Sequence, residues 1–299
     1  MILPVQREYG KTEEKEMKTG LILEGGGMRG MFSCGVLDVM MERGLRFDGA
    51  AGISAGAVFG CNLKSRQPGR ALRYNLKYIR DPRYLSLRSL VRTGDLFGAD
   101  FCYRELPRDL DPFDTETFRR DPMAFYVGAT DLSAGKIVYH LCRDGGDEDM
   151  LWLRASASLP FVSRPVEIGG RLYLDGGIAE AVPCSVMEKE GYDRRVLVLT
   201  RPKGYRKRKG RPLPRFLPLL QRWPALADAL DRRAEMYDRQ MDAIDRAEAE
   251  GRILVIRPPR PLDIRRIERR PAELEKAYRI GRETMEERFA DVRAFLDRA

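Results

Sequence analysis

The sequence predicts an α/β protein built on a mostly parallel central sheet, with helices above and below it as a three-layer α/β/α sandwich. Two observations lead there. Over the first 65 residues, apolar runs of strand length alternate with helix-patterned segments, and a glycine-rich turn follows each run. Further along, RRVLVLT is an almost unbroken apolar run, as expected of a strand covered on both faces.

In chain order, GLILE is a first strand, GGGMRG a turn, and MFSCGVLDVMMERG a helix. In that helix Met31, Val36, Val39 and Met40 recur at helical spacing and Gly44 supplies the stop. LRFDGAAGIS is a second strand that runs through a sharp turn into the helix AGAVFGCNL. Residues 68–122 read as proline-punctuated helices and loops. MAFYVGATDLSAGKIVYHL then reads as two strands around a D-L-S-A-G-K turn. Residues 149–159 read as helix, PVEIGGRLYLDGG as a Gly-Gly hairpin, and VPCSVMEKEG as helix. A long amphipathic helix follows in 223–251, with Leu226, Leu230, Tyr237, Met241 and Ile244 on one face. RILVIRP is a short strand, and Pro271 opens a final helix.

The chain has 299 residues, 43% hydrophobic and 33% charged, which is a globular composition. No run reaches the ~18 apolar residues of a membrane-spanning helix. The N-terminus lacks the apolar centre of a secretory signal, so a cytoplasmic protein is expected. Residues 1–17 read as a mobile polar leader, 18–200 as the catalytic domain, and 201–299 as a mainly helical extension packed on it. Cys34, Cys61, Cys102, Cys142 and Cys184 are dispersed without a C-x-x-C pair, against a disulfide framework or structural zinc. His140 is the only histidine, so zinc chemistry built on several histidines is excluded, and neither metal nor cofactor is expected.

Three motifs carry chemistry. The first, Gly25-Gly26-Gly27-Met28-Arg29-Gly30, follows a strand and opens a helix, an arrangement that presents backbone N–H groups and a helix N-terminus to an anion. It also matches the dinucleotide pattern G-x-G-x-x-G. The second, Gly52-Ile53-Ser54-Ala55-Gly56, is G-x-S-x-G in the strand–turn–helix setting of a nucleophile elbow, whose small neighbours let the serine project. The third, Asp175-Gly176-Gly177, ends the hairpin. A serine hydroxyl needs a base. His140 sits on a strand, where packing is the plainer reading, which leaves a carboxylate. Asp175 is the candidate, expected to touch the Ser54 hydroxyl from an apolar setting that strengthens it as a base.

The order GGGMRG, GISAG, DGG, with RASASLP before the last and AVP after it, resembles the patatin-like phospholipase family over roughly residues 18–200. The resemblance implies a patatin-like fold and a lipid acyl hydrolase working by a Ser–Asp dyad. Ser54 would be the nucleophile and Asp175 the proton acceptor. Gly25, Gly26 and Gly27 would form an oxyanion hole, with Arg29, Gly30, Gly52, Gly56, Gly176 and Gly177 completing the motifs. Lipid or another ester is then the expected substrate.

Two other classes stay open. One is a dinucleotide-binding oxidoreductase, which wants an acid after the second strand, where Asp48 comes too early. The other is a non-catalytic lipid-binding protein on the same fold. The net charge is +9, and residues 201–215 hold eight Lys or Arg and no acid. One basic stripe on an otherwise near-neutral chain is not a nucleic-acid footprint. With Phe216, Leu217, Leu219, Leu220 and Trp223 beside it, the stripe suggests peripheral contact of residues 201–223 with an anionic inner-membrane surface. A solvated loop leading into a packed helix is the alternative. Ser156 and Ser158 read as packing or capping residues near the site.

Overall fold

The computed structural model describes residues 17–208 and 210–297. The leader expected over 1–17 therefore lies outside the described residues except for Met17. Among the described residues the sheet has eight strands: β1 (Thr19–Leu23), β2 (Gly49–Ile53), β3 (Ala124–Asp131), β4 (Lys136–Cys142), β5 (Val166–Ile168), β6 (Arg171–Asp175), β7 (Arg194–Val198) and β8 (Ile253–Ile256). The neighbours β3, β2, β1, β7 and β8 run parallel. The strands β4 and β6 pair antiparallel with β3, and β5 closes a hairpin with β6.

The layers follow from side-chain alternation. In β1, Leu21 and Leu23 join the core on one face and Ile22 the core on the other, all fully buried. The first face carries α1 (Met31–Glu42), α2 (Ala55–Lys64), α3 (Arg70–Tyr78), α4 (Leu87–Thr93), α5 (Thr115–Arg120) and α6 (Asp147–Ala157). The second face carries α7 (Cys184–Lys189), and a five-residue α8 (Pro218–Arg222) leads into the long α9 (Pro224–Ala249). The α9 stripe lies as its periodicity predicts, with Leu226, Tyr237, Met241 and Ile244 buried and Leu230 partly so. Burying such an apolar side chain is worth about 1.5–3 kcal/mol. Between α4 and α5, Phe101–Leu110 winds as a wide i→i+5 helix with Pro107 inside it. Among the described residues, no helix is long and apolar enough to cross a membrane.

The chain beyond residue 200 shares this sheet and core. The strand β8 extends the sheet beside β7. The final helix α10 (Pro271–Leu296) crosses α1, with Leu274, Ala277, Met285 and Val292 in the first-face core. The crossing is close because glycine stands on both helices. A Cβ at Gly35 would run into the Tyr278 carbonyl, and one at Gly281 into the Phe32 carbonyl.

One feature of the topology positions the site. Along β3, β4 occupies one edge throughout. The other edge is shared, by β2 as far as Ile53 opposite Gly128 and by β6 from Asp175 opposite Ala129. The C-terminal ends of β2 and β6 therefore meet head to head at adjacent residues of β3.

Gly281→Ala is expected to lower stability by about 1–3 kcal/mol, because backbone on the facing helix cannot move aside as a side chain would. The ordinary preference of a helix for alanine, up to ~1 kcal/mol, offsets only part of this. The urea midpoint should fall; an unchanged midpoint would show that the helices separate at little cost.

Candidate active site

Ser54 stands where β2 turns into α2, with φ 54° and ψ −121°. That region is costly for a residue with a side chain, typically about 1–3 kcal/mol. The turn is tight because its flanks are glycines. A Cβ at Gly52 would press on the backbone of Gly56 and Ala57, and one at Gly56 would meet the Leu23 carbonyl. The strain is held by hydrogen bonds. Ala57 and Val58 N–H donate to the Ser54 carbonyl, both at 3.0 Å. The Ser54 N–H donates to Ser156 Oγ at 2.8 Å, and the Ser156 hydroxyl donates to the Gly128 carbonyl at 2.6 Å.

Asp175 ends β6, its N–H donating to the Ser158 carbonyl at 2.7 Å and its carbonyl accepting from the Thr130 hydroxyl at 2.9 Å. Its Oδ1 accepts the Gly177 N–H at 2.8 Å, and its Oδ2 accepts the Ser54 hydroxyl at 2.7 Å. Both side chains are buried, Ser54 to 5% exposure and Asp175 to 1%. The carboxylate's surroundings are polar rather than apolar, since Arg266 Nη2 lies 3.8 Å from Oδ2.

The glycine loop lies against this pair. A Cβ on Gly25 would sit 3.1 Å from Ser54 Cβ, so only glycine lets the loop come so near without strain. The Gly25 N–H is already engaged, donating to the Ala181 carbonyl at 3.2 Å. Gly27 has φ +58°, and Gly27–Gly30 form a short 3₁₀ turn that continues into α1. Gly30 packs against the Phe59 ring, where a Cβ would sit at 2.8 Å. Gly176 nestles under the Gly128 carbonyl, at the junction of the two strand ends. Arg29 is largely buried, its Nε has no hydrogen-bond partner, and burial followed by repulsion from Arg201 pulls its pKa down to about 10.

From Ser54 an apolar slot of about 110 Å³ runs between Met28, Val58, Phe59, Tyr74, Phe97 and Leu106. Glu24, just before the glycines, is buried; its Oε2 accepts the Thr200 hydroxyl at 3.0 Å and its Oε1 the Tyr237 hydroxyl at 3.0 Å. That ties the end of β1 to the end of β7 and to α9.

His140 is a packing residue. It stacks on Trp152 with ring centroids 5.0 Å apart and bonds Asp149 Oδ1 through Nε2 at 2.7 Å. His140, Cys142 and Asp149 bring ligand-type atoms within 4.8 Å of one another. Asp149 Oδ2, however, already accepts the N–H groups of Arg143, Asp144 and Gly145 at 2.7–3.0 Å. Asp48 lies at the opposite end of β2 from the glycine loop and accepts Thr19 N–H at 2.7 Å, far from where a dinucleotide ribose would need an acid. In the basic stripe, Arg206 pairs with Asp242 at 2.6 Å and Arg215 with Asp231 at 2.7 Å, both acids of α9. Leu217, Leu219 and Trp223 pack with buried Leu220, while Phe216 stays exposed.

A family model described as patatin-like phospholipase matches residues 21–187. The chain belongs to the patatin-like phospholipase family. In this patatin-like chain a second model, a domain of unknown function (DUF6363), matches residues 223–297. The uncharacterized protein YjjU of Escherichia coli is 28% identical over 280 residues, covering 89% of this chain and 75% of that one. An uncharacterized NTE family protein of Mycobacterium tuberculosis is 32% identical over 172 residues, 56% of this chain and 45% of its own. The lysophospholipase NTE1 of Coccidioides immitis is 27% identical over 261 residues, 80% of this chain but only 16% of the fungal protein.

Three further residues, Ser156, Arg233 and Arg266, support this patatin-like site. Ser156 reads in the sequence as a packing or capping residue near the site, and it bridges the Ser54 N–H and the Gly128 carbonyl. Arg233 donates to the Gly177 carbonyl at 2.6 Å. Ser156 lies within the RASASLP segment, whereas no local pattern marks Arg233 or Arg266, which reach the site through tertiary packing.

Ser156→Ala is expected to cost about 1–3 kcal/mol, since it leaves the buried Ser54 N–H without an acceptor. Urea denaturation checks this, and an unshifted midpoint would remove Ser156 from this role.

Proposed function

We propose that the protein is a serine acyl hydrolase that cleaves carboxylic esters of lipids through Ser54 and Asp175. The observation that carries the reading is the buried 2.7 Å hydrogen bond from the Ser54 hydroxyl to Asp175 Oδ2, at the mouth of an apolar slot. Family membership supports lipid hydrolysis in general, and the fungal relative is named a lysophospholipase.

The acyl chain lies in the slot and brings its carbonyl carbon to Ser54 Oγ. As Oγ attacks, its proton passes to Asp175 Oδ2. The carbonyl oxygen gains negative charge and turns to the Gly26 and Gly27 amides, the Gly25 amide being held by Ala181. One such donor is worth about 3–4 kcal/mol of barrier. Asp175 returns the proton to the leaving alcohol, which leaves an acyl ester on Ser54. Water, deprotonated by Asp175, attacks the acyl carbon; the C–Oγ bond breaks, Asp175 passes its proton back to Oγ, and the acid leaves. No step requires a cofactor. The positive helix end beyond Gly27–Gly30 favours the developing anion.

Ser54→Ala and Asp175→Asn should each lower kcat on a medium-chain ester by about 10⁴-fold or more, as loss of a nucleophile or its orienting base does elsewhere. A fluorophosphonate probe should label Ser54 in the unaltered protein and not in Ser54→Ala. Persistent turnover in either variant, or labelling elsewhere, would overturn the assignment and favour a non-catalytic lipid binder or another nucleophile.

A further inference from the structure

A second cavity, about 60 Å³, also opens on Ser54, Asp175 and Gly26, and Arg266 borders both it and the apolar slot. A single water needs about 10–15 Å³ by such a measure, so the cavity has room for about four waters, or one small compact group. Five cations line it: Arg29, Arg201, Lys207, Arg233 and Arg266. The carboxylates lining it are Glu24 and Asp175, and both are committed, Glu24 to Thr200 and Tyr237 and Asp175 to Ser54 and Gly177.

Among the described residues, only Arg266 of the five cations has a carboxylate within 4.0 Å. Arg29 Nε is buried without a partner. Burial and the neighbouring arginines push Lys207 down to about 7 and also lower Arg233. All five are half-buried, and like charges drawn this close together repel one another, which a bound anion would relieve. Two tyrosines in the wall are already covered. Arg201 lies 4.3 Å from the Tyr205 ring centre and Lys207 4.7 Å from that of Tyr237. The rings that would otherwise take a quaternary ammonium are thus occupied by cations.

We propose that this cavity is a phosphate-monoester subsite, so that the preferred substrate is an acyl ester whose alcohol carries a terminal phosphate. The acyl chain lies in the apolar slot, the ester carbonyl at Ser54, and the phosphate among the five cations. A monoester brings nearly two charges and three acceptor oxygens. A choline diester brings one charge and a cation that the pocket repels. Four of the five cations come from the chain beyond residue 200, which gives that part a role in selectivity. The proposal rests on the hydrolase reading for its substrate and on the cavity alone for its anion.

The test compares 1-lauroyl-glycerol 3-phosphate, 1-lauroyl-glycerol and 1-lauroyl-glycero-3-phosphocholine below their micellar concentrations. In the unaltered protein kcat/KM should be at least tenfold higher for the monoester than for either of the others. The double variant Arg201→Gln/Lys207→Met should bring those ratios within threefold of one. Equal turnover of all three substrates by the unaltered protein overturns the proposal whether or not the variant folds. A parallel arm needs no hydrolysis: calorimetry of n-octyl phosphate, n-octanol and inorganic phosphate on Ser54→Ala. Octyl phosphate should bind at least tenfold tighter than each of the others. Octanol binding as well overturns the cationic subsite, and inorganic phosphate binding as well makes it a free-phosphate site. If no ester is cleaved but octyl phosphate binds as expected, the hydrolase reading fails and the anion subsite stands.

Discussion

Two strands ending face to face on one edge of β3 are the constraint on which the site depends. The ladder of β2 stops at Gly128 and that of β6 begins at Ala129, so the terminal residue of one strand and the first residue past the other are forced into contact. No flexible loop has to find its partner. The same junction explains the small residues around it. Gly128 carries no side chain beneath Ile53 and Tyr139, and Gly176 slips under its carbonyl. Ser156, from α6, bridges the Ser54 N–H and the Gly128 carbonyl and so fastens the turn to the strand that aligns both ends.

Around that junction the two faces of the sheet contribute different chemistry. The first face and the wide helix Phe101–Leu110 build an apolar slot. Beyond β7, residues 201–207, α9 and the segment before α10 bring cations. Ser54 sits on the seam, and Arg266 borders both sides. Glu24, Thr200 and Tyr237 hold that seam closed, because a buried carboxylate with two hydroxyl donors from different elements resists their separation.

Much of this was legible locally. The strand GLILE, the turn around Ser54 and the Gly169-Gly170 hairpin depend on neighbours in sequence, and the two hairpin glycines take the positive φ their order demands. The lone histidine, on a strand, leaves only a carboxylate as base, and the Asp175-Gly176-Gly177 motif with the family resemblance points to which one. The rest was set by packing. Residues 201–215 read as one basic stripe because counting charge gives its sign but not its direction. Folding splits it: Arg201 and Lys207 turn inward to the cavity, while Arg206 and Arg215 pair with acids of α9. The Gly25 amide reads as free in the sequence, and only the course of the chain at Ala181 reveals that it is taken.

The backbone at Ser54 limits which side chains can stand at this turn. At a φ of 54° a branch at Cβ crowds the chain, so threonine would strain a turn already hemmed in by Gly52 and Gly56. Cysteine, unbranched like serine, meets no such barrier. The elbow therefore leaves one evolutionary door open, toward a thiol, and shuts the door to a secondary alcohol before any question of reactivity arises.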